Sequence, residues 1–193
     1  MIKFIKNLPG LLKSFQRHPD LKAYADKFIL RGNQMEDQGN FEEALENYRK
    51  AIEINPDYPR AYLNIGNAFL ALKLTEEAIT NYQKSIALDP NYAFAHYNLG
   101  NAYQKIEHLE DAVSCYHRAL SCNKDFPEAL VAIGTAYEKL NQTEQAILQY
   151  ETALKINPRL LESSVLLGDA YRKSGLLPRA VSCYRNALLL KPN

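Results

Sequence analysis

Ala93-Phe94-Ala95-His96-Tyr97-Asn98-Leu99-Gly100-Asn101-Ala102-Tyr103 is the stretch on which the fold turns. Steps of 34 residues in either direction meet the same layout. Gly32, Gly66, Gly134 and Gly168 fall in register with Gly100, and only Gly10, Gly39 and Gly175 stand outside the series. Further columns keep that register without an insertion: Ala44, Ala78, Ala112, Ala146, Ala180, and then Tyr48, Tyr82, Tyr116, Tyr150, Tyr184. A third column reads Ala51, Ser85, Ala119, Ala153, Ala187, and a fourth Pro56, Pro90, Lys124, Pro158, Pro192. So regular a period marks a repeat array, each unit being one supersecondary motif that buries its apolar face only by stacking.

Each column has a physical reason. Small residues stand where two helices approach closely. A glycine inside a helix costs roughly 0.5–1 kcal/mol relative to alanine, so five in register signal a steric requirement. Met35, Phe69, Tyr103, Tyr137 and Tyr171, with the tyrosine column, fill the space between helices. The proline column follows apolar runs such as Ala51-Ile52-Glu53-Ile54-Asn55, and proline ends a helix at the residue before it. Within a unit the break falls at Gln38-Gly39-Asn40 in the first repeat and at Lys139-Leu140-Asn141-Gln142 in the fourth. The helix that follows opens on acids suited to its N-terminal dipole: Glu42-Glu43, Glu76-Glu77, Glu110-Asp111 and Glu144. In the last repeat Pro178 takes a first-turn place instead. The unit is helix, tight turn, helix, then a proline-marked turn.

The quoted stretch, with Ala61-Tyr62-Leu63-Asn64-Ile65-Gly66-Asn67-Ala68, resembles the tetratricopeptide repeat. The likeness covers residues 25–193 in five units, 25–58, 59–92, 93–126, 127–160 and 161–193, behind a basic amphipathic leader over 1–24. It implies an all-α fold, a right-handed α-solenoid of five helix-turn-helix units, that serves as a non-catalytic scaffold for a protein or peptide. Departures are few. Arg31 replaces an aliphatic residue, Lys124 replaces the proline and Ser164 replaces a large residue, which marks the first and last units as capping ones.

Charge narrows the partner. The formal net charge is +1, which removes a basic field for nucleic acid. Residues 1–24 nevertheless carry Lys3, Lys6, Lys13, Arg17 and Lys22 against Asp20 alone. Among these, Ile2, Phe4, Ile5, Leu8, Leu11, Leu12 and Phe15 recur at roughly helical spacing. Two readings of residues 1–20 stand: a cap on the first repeat, or a helix seated on an anionic membrane surface. Pro9-Gly10 in the middle favours the cap. Three cysteines make a poor disulfide framework, and no run approaches the ~18 apolar residues of a membrane span, so a cytoplasmic location is expected.

In this repeat family the first helix of each unit lines the concave groove. Its rows read Ile29, Leu63, Tyr97, Val131, Val165; then Leu30, Asn64, Asn98, Ala132, Leu166; then Asn33, Asn67, Asn101, Thr135, Asp169. A carboxamide offers donors and an acceptor, so a row of asparagines suits the backbone of an extended chain whatever its side chains. Similar asparagine ladders occur in the repeat arm of O-linked N-acetylglucosamine transferases. The expected partner-binding residues are Asn33, Asn64, Asn67, Asn98 and Asn101, flanked by Arg60, Phe94 and Tyr97. Capture of a terminal carboxylate, the habit of chaperone-adaptor repeats, is set aside, because Phe94, Glu128, Ala132, Glu162 and Leu166 stand where cations are needed.

No catalytic residue, cofactor or metal site is expected. No glycine-rich phosphate loop or His-Glu-x-x-His spacing occurs. Cys115 and His117 are two apart, and on a helix such neighbours face different ways. After Leu188-Leu189-Leu190 no polar capping helix follows. Three arrangements fit that end: the substrate-recruiting arm of a larger glycosyltransferase or methyltransferase, a homo-oligomer joined through the last repeat, or a self-assembling membrane-surface scaffold.

Overall fold

The computed structural model describes residues 19–190. The leader up to residue 18 lies outside the described residues. Among those described there are ten helices and no strand. In chain order they are α1 (Pro19–Asp37), α2 (Phe41–Ile54), α3 (Pro59–Ala71), α4 (Thr75–Leu88) and α5 (Ala93–Lys105), then α6 (Leu109–Cys122), α7 (Pro127–Lys139), α8 (Thr143–Ile156), α9 (Leu161–Lys173) and α10 (Leu177–Leu190). Four first helices begin on the first residue of their repeat, at Pro59, Ala93, Pro127 and Leu161, while α1 starts earlier at Pro19.

The chain forms two compact units that divide after Pro90. In the first, α2 packs against both α1 and α3, and α3 against α4. Its core joins Ala25, Ile29, Ala44, Leu45, Tyr48, Ala51, Tyr58, Ala61, Ile65 and Ala68. In the second, α5 to α10 each pack on their neighbours in sequence. Its core passes through Ala112, Tyr116 and Ile133, then through Ala146, Tyr150, Leu167 and Ala170.

Glycine and tyrosine columns explain one another. A Cβ placed on Gly168 would stand 2.6 Å from Cε1 of Tyr184, and the other four column glycines face the tyrosine 16 residues on in the same way. The ring lies flat on bare backbone, and the rings of Tyr48, Tyr82, Tyr116 and Tyr150 are fully buried. Alanines at 44, 78, 112 and 146 are likewise sealed, so small side chains line the contact between the paired helices.

The turn inside each repeat is the same Schellman closure. Gly39, Lys73, Glu107, Asn141 and Gly175, 34 residues apart, all take positive φ, between 59° and 78°. The amide of the next residue reaches back to the large-residue column: Asn40 to Met35 O at 2.8 Å, Leu74 to Phe69 O at 2.9 Å, Gln142 to Tyr137 O at 2.8 Å. That bond satisfies a carbonyl orphaned at the helix end and reverses the chain. Second helices stop on Asn55, Asp89, Asn123 and Asn157, each in an extended conformation with its amide still bonded to the last turn. Asn123 does so although Lys124 follows it. Its Oδ1 accepts the amide of Asp125 at 3.2 Å, and Asn157 does the same for Arg159 at 3.1 Å. Stacked helices and side-chain bonds therefore hold the turn even where the proline is lost.

Candidate functional site

The predicted residues fall into two groups, one in each compact unit. In the first unit, Asn33 on α1 meets Asn64 on α3: Asn64 Nδ2 donates to Asn33 Oδ1 at 2.9 Å. The Tyr48 hydroxyl lies 2.9 Å from that same oxygen and 2.6 Å from Glu36 Oε2. Asn67 Oδ1 accepts from the Tyr82 hydroxyl at 2.9 Å. Asn64 is buried, Asn33 and Asn67 are half-buried, and Arg60 is exposed.

In the second unit, Asn101 Oδ1 accepts from the Tyr116 hydroxyl at 2.8 Å, with Gln104 Oε1 at 3.0 Å from that hydroxyl. Where the row changes residue, the tyrosine keeps an acceptor: Tyr184 donates to Asp169 Oδ1 at 2.8 Å and Tyr150 to Glu138 Oε2 at 3.3 Å. Thr135 has no such role, its hydroxyl donating to Ala132 O at 2.8 Å. Phe94 is 55% exposed and meets Phe126 at 5.3 Å between ring centroids. Tyr97 lies against Phe126 at 4.9 Å and Tyr116 at 5.7 Å. Asn98 is half-buried beside them on α5.

The asparagine row at 33, 67 and 101 is thus part of the scaffold as well as of the surface. Its oxygens hold the buried tyrosine hydroxyls in place. Sequence reading found the asparagines and missed those partners, fifteen residues further on in each case. The Nδ2 groups of Asn33 and Asn101 make no hydrogen bond among the described residues. Asn64 contributes an acceptor, because its nitrogen is the atom turned to Asn33. A donor and an acceptor side by side match the two polar groups of a peptide bond.

Burial keeps the phenols of this network protonated. Burial is the main cause that drives the Tyr82 and Tyr116 phenols well above the ordinary tyrosine value. Tyr48 and Tyr150 shift the same way by burial, reinforced by the carboxylates of Glu36 and Glu138. Glu138, its side chain 13% exposed, also holds Lys173 Nζ at 2.8 Å. Burial first, and the Asp111 carboxylate second, push the Cys115 thiol up to about 11, so it is not an activated nucleophile at neutral pH.

Family models for the TPR repeat match residues 32–73 and 75–106, and models for the tetratricopeptide repeat match 93–126, 127–160 and 163–193. The chain belongs to the tetratricopeptide-repeat family. Among solved structures, MamA is similar at 28% identity, with a TM-score of 0.75 over 82% of this chain and 93% of that one. PilF of Pseudomonas aeruginosa reaches a TM-score of 0.82 at 22% identity, over 89% of this chain and 79% of its own, which is a likeness of fold alone. A curated relative, human protein O-mannosyl-transferase TMTC1, is 37% identical over 62 residues, 32% of this chain. The match spans 7% of that protein's length. Among the described residues no helix is long and apolar enough to cross a membrane.

Proposed function

We propose that this protein is a non-catalytic scaffold whose first-helix faces hold an extended segment of a partner protein. The observation that carries it is the Asn33–Asn64 pair, which leaves the amide donor of half-buried Asn33 beside the carbonyl acceptor of buried Asn64. Such a pair grips a peptide backbone and is indifferent to its sequence. Asn67 on α3 and Asn98 and Asn101 on α5 place further carboxamides on the first-helix faces of their own units. Arg60, Phe94 and Tyr97 supply what a backbone clamp lacks, a charge and an aromatic surface that discriminate between side chains. Binding of this kind needs no cofactor and fits a cytoplasmic scaffold.

Capture of a partner by the double variant Asn64→Ala/Asn98→Ala tests the clamp. Each hydrogen bond contributes about 1 kcal/mol, so the loss of two weakens binding about thirtyfold. Unchanged affinity in a folded double variant removes the reading. Asn64 is the suitable target because Tyr48 keeps its contacts with Asn33 and Glu36 without it.

A second reading makes the chain the substrate-holding arm of a larger transferase, and the likeness to a short stretch of human TMTC1 favours it. Mass spectrometry of the protein as cells produce it separates the two. A polypeptide in which the repeats continue into a glycosyltransferase or methyltransferase supports the arm, and one without such a domain supports the free-standing scaffold.

A further inference from the structure

Phe94, Glu128 and Glu162 share one register position, the second of each of the last three repeats, in the first turns of α5, α7 and α9. All three side chains are exposed. A helix start by itself accounts for the two acids, which suit the dipole of α7 and α9. It does not account for Phe94, whose ring stays 55% exposed where an acid would serve α5 better. That ring is held in place. It meets Phe126 edge-on at 5.3 Å between centroids, and Phe126 lies 4.9 Å from Tyr97 in turn. Phe126 is also the residue from which α7 starts, so Glu128 stands two residues beyond the ring's own contact.

The charges around this row are uneven. Glu138 on α7 and Asp169 on α9 are already taken, by Lys173 at 2.8 Å and Arg172 at 3.3 Å. Glu128 and Glu162 make no ion pair with another described residue. Lys124 and Arg159, exposed in the turns just before the two helices, leave both of them unpaired. An exposed aromatic ring beside free carboxylates is complementary to a cation that is also flat and apolar. The guanidinium group is that cation: it stacks on aromatic rings and presents a fork of N–H donors to a carboxylate.

We propose that this row takes an arginine of the partner's extended segment, the guanidinium lying over Phe94 with its N–H groups turned to Glu128, and Glu162 adding to the negative field. The inference rests on the backbone-clamp reading, which supplies the segment: Asn98 lies one turn on from Phe94, on the same face of α5. It adds the sequence that the clamp prefers at that point. An ammonium group fits less well, because it has no flat face for the ring and no parallel pair of donors for the carboxylate.

The probe is acetyl-Ala-Ala-Arg-Ala-Ala-amide, titrated into the full chain and followed by NMR at the Phe94 ring and the Glu128 carboxylate. Its citrulline counterpart keeps the shape of the side chain and removes the charge. The arginine peptide should give saturable shifts at both groups and bind about tenfold more tightly than the citrulline peptide. Phe94→Leu and Glu128→Gln, both at exposed positions, should each cut that preference about threefold. Asn98→Ala should weaken both peptides about fivefold and leave the preference unchanged. Absence of saturable shifts, equal affinity of the two peptides, or a preference undiminished in both Phe94→Leu and Glu128→Gln overturns the arginine site. Asn98→Ala without effect on either peptide removes the clamp while the preference for arginine stands, so the two failures are told apart. A concentration-dependent dimer in light scattering, abolished by Glu128→Gln/Glu162→Gln, gives the row to a second copy and overturns the partner.

Discussion

Gly134 and Tyr150 show how much one atom weighs in this molecule. Alanine is the better helix former by about 0.5–1 kcal/mol, which argues for Gly134→Ala. The added methyl would stand under 3 Å from three atoms of the fully buried Tyr150 ring, and overpacking of that kind costs about 1–3 kcal/mol. The second effect is larger, so the variant should lose about 1–2 kcal/mol in urea unfolding; a gain would show that the ring can move aside. The same phenols predict the response to alkali. Their folded values lie above the ordinary 10, so the folded state holds a proton that the unfolded state releases there. Stability should therefore be level up to about pH 10 and fall as pH climbs beyond it, with Tyr82 and Tyr116, followed individually by NMR, ionising only as the chain unfolds. Ionisation of either ring in the folded chain near pH 10 would contradict the burial. The glycine, alanine and tyrosine columns were legible in the sequence because each recurs as a residue type. The bond from Tyr48, Tyr82 or Tyr116 to its asparagine was not, because it joins two helices across a turn and leaves no mark on either residue alone.

At the scale of the helix, starts were easy to read and stops only partly so. The units read in the sequence open at 59, 93 and 127, and a helix begins at each of those residues. The turn between paired helices was located at Gly39 and near Asn141, yet the shared left-handed residue was hidden, since it is Gly, Lys, Glu, Asn and Gly in successive repeats. The closing hydrogen bonds impose that conformation, and only glycine adopts it without strain. Glu107, at φ 62°, should accordingly be improved upon: Glu107→Gly is expected to stabilise the α5–α6 turn by about 1 kcal/mol in chemical denaturation. A loss of stability would mean that the Glu107 side chain contributes more than its backbone strain costs. Ser164 is the complementary case, a departure visible in the sequence as a missing large residue whose consequence, a lined hollow, only coordinates could reveal.

For the molecule as a whole, the array of paired helices follows from the period alone, while the binding function depends on which groups remain available once the helices have packed. The asparagines are claimed twice, by the tyrosines of the scaffold and by the proposed ligand, and the packing takes the oxygens of Asn33, Asn67 and Asn101. What remains in the first unit is the donor of Asn33 beside the acceptor of Asn64. The most direct measurement places a photo-crosslinking amino acid at one position at a time, in cells that produce the full chain. Arg60 and Phe94, exposed on first helices, are compared with Glu46 and Arg118, exposed on second helices. Covalent partner adducts at 60 and 94, absent at 46 and 118 and lost when Asn64→Ala/Asn98→Ala is added, are the predicted result. Adducts at 46 and 118 that equal or exceed those at 60 and 94 would contradict it.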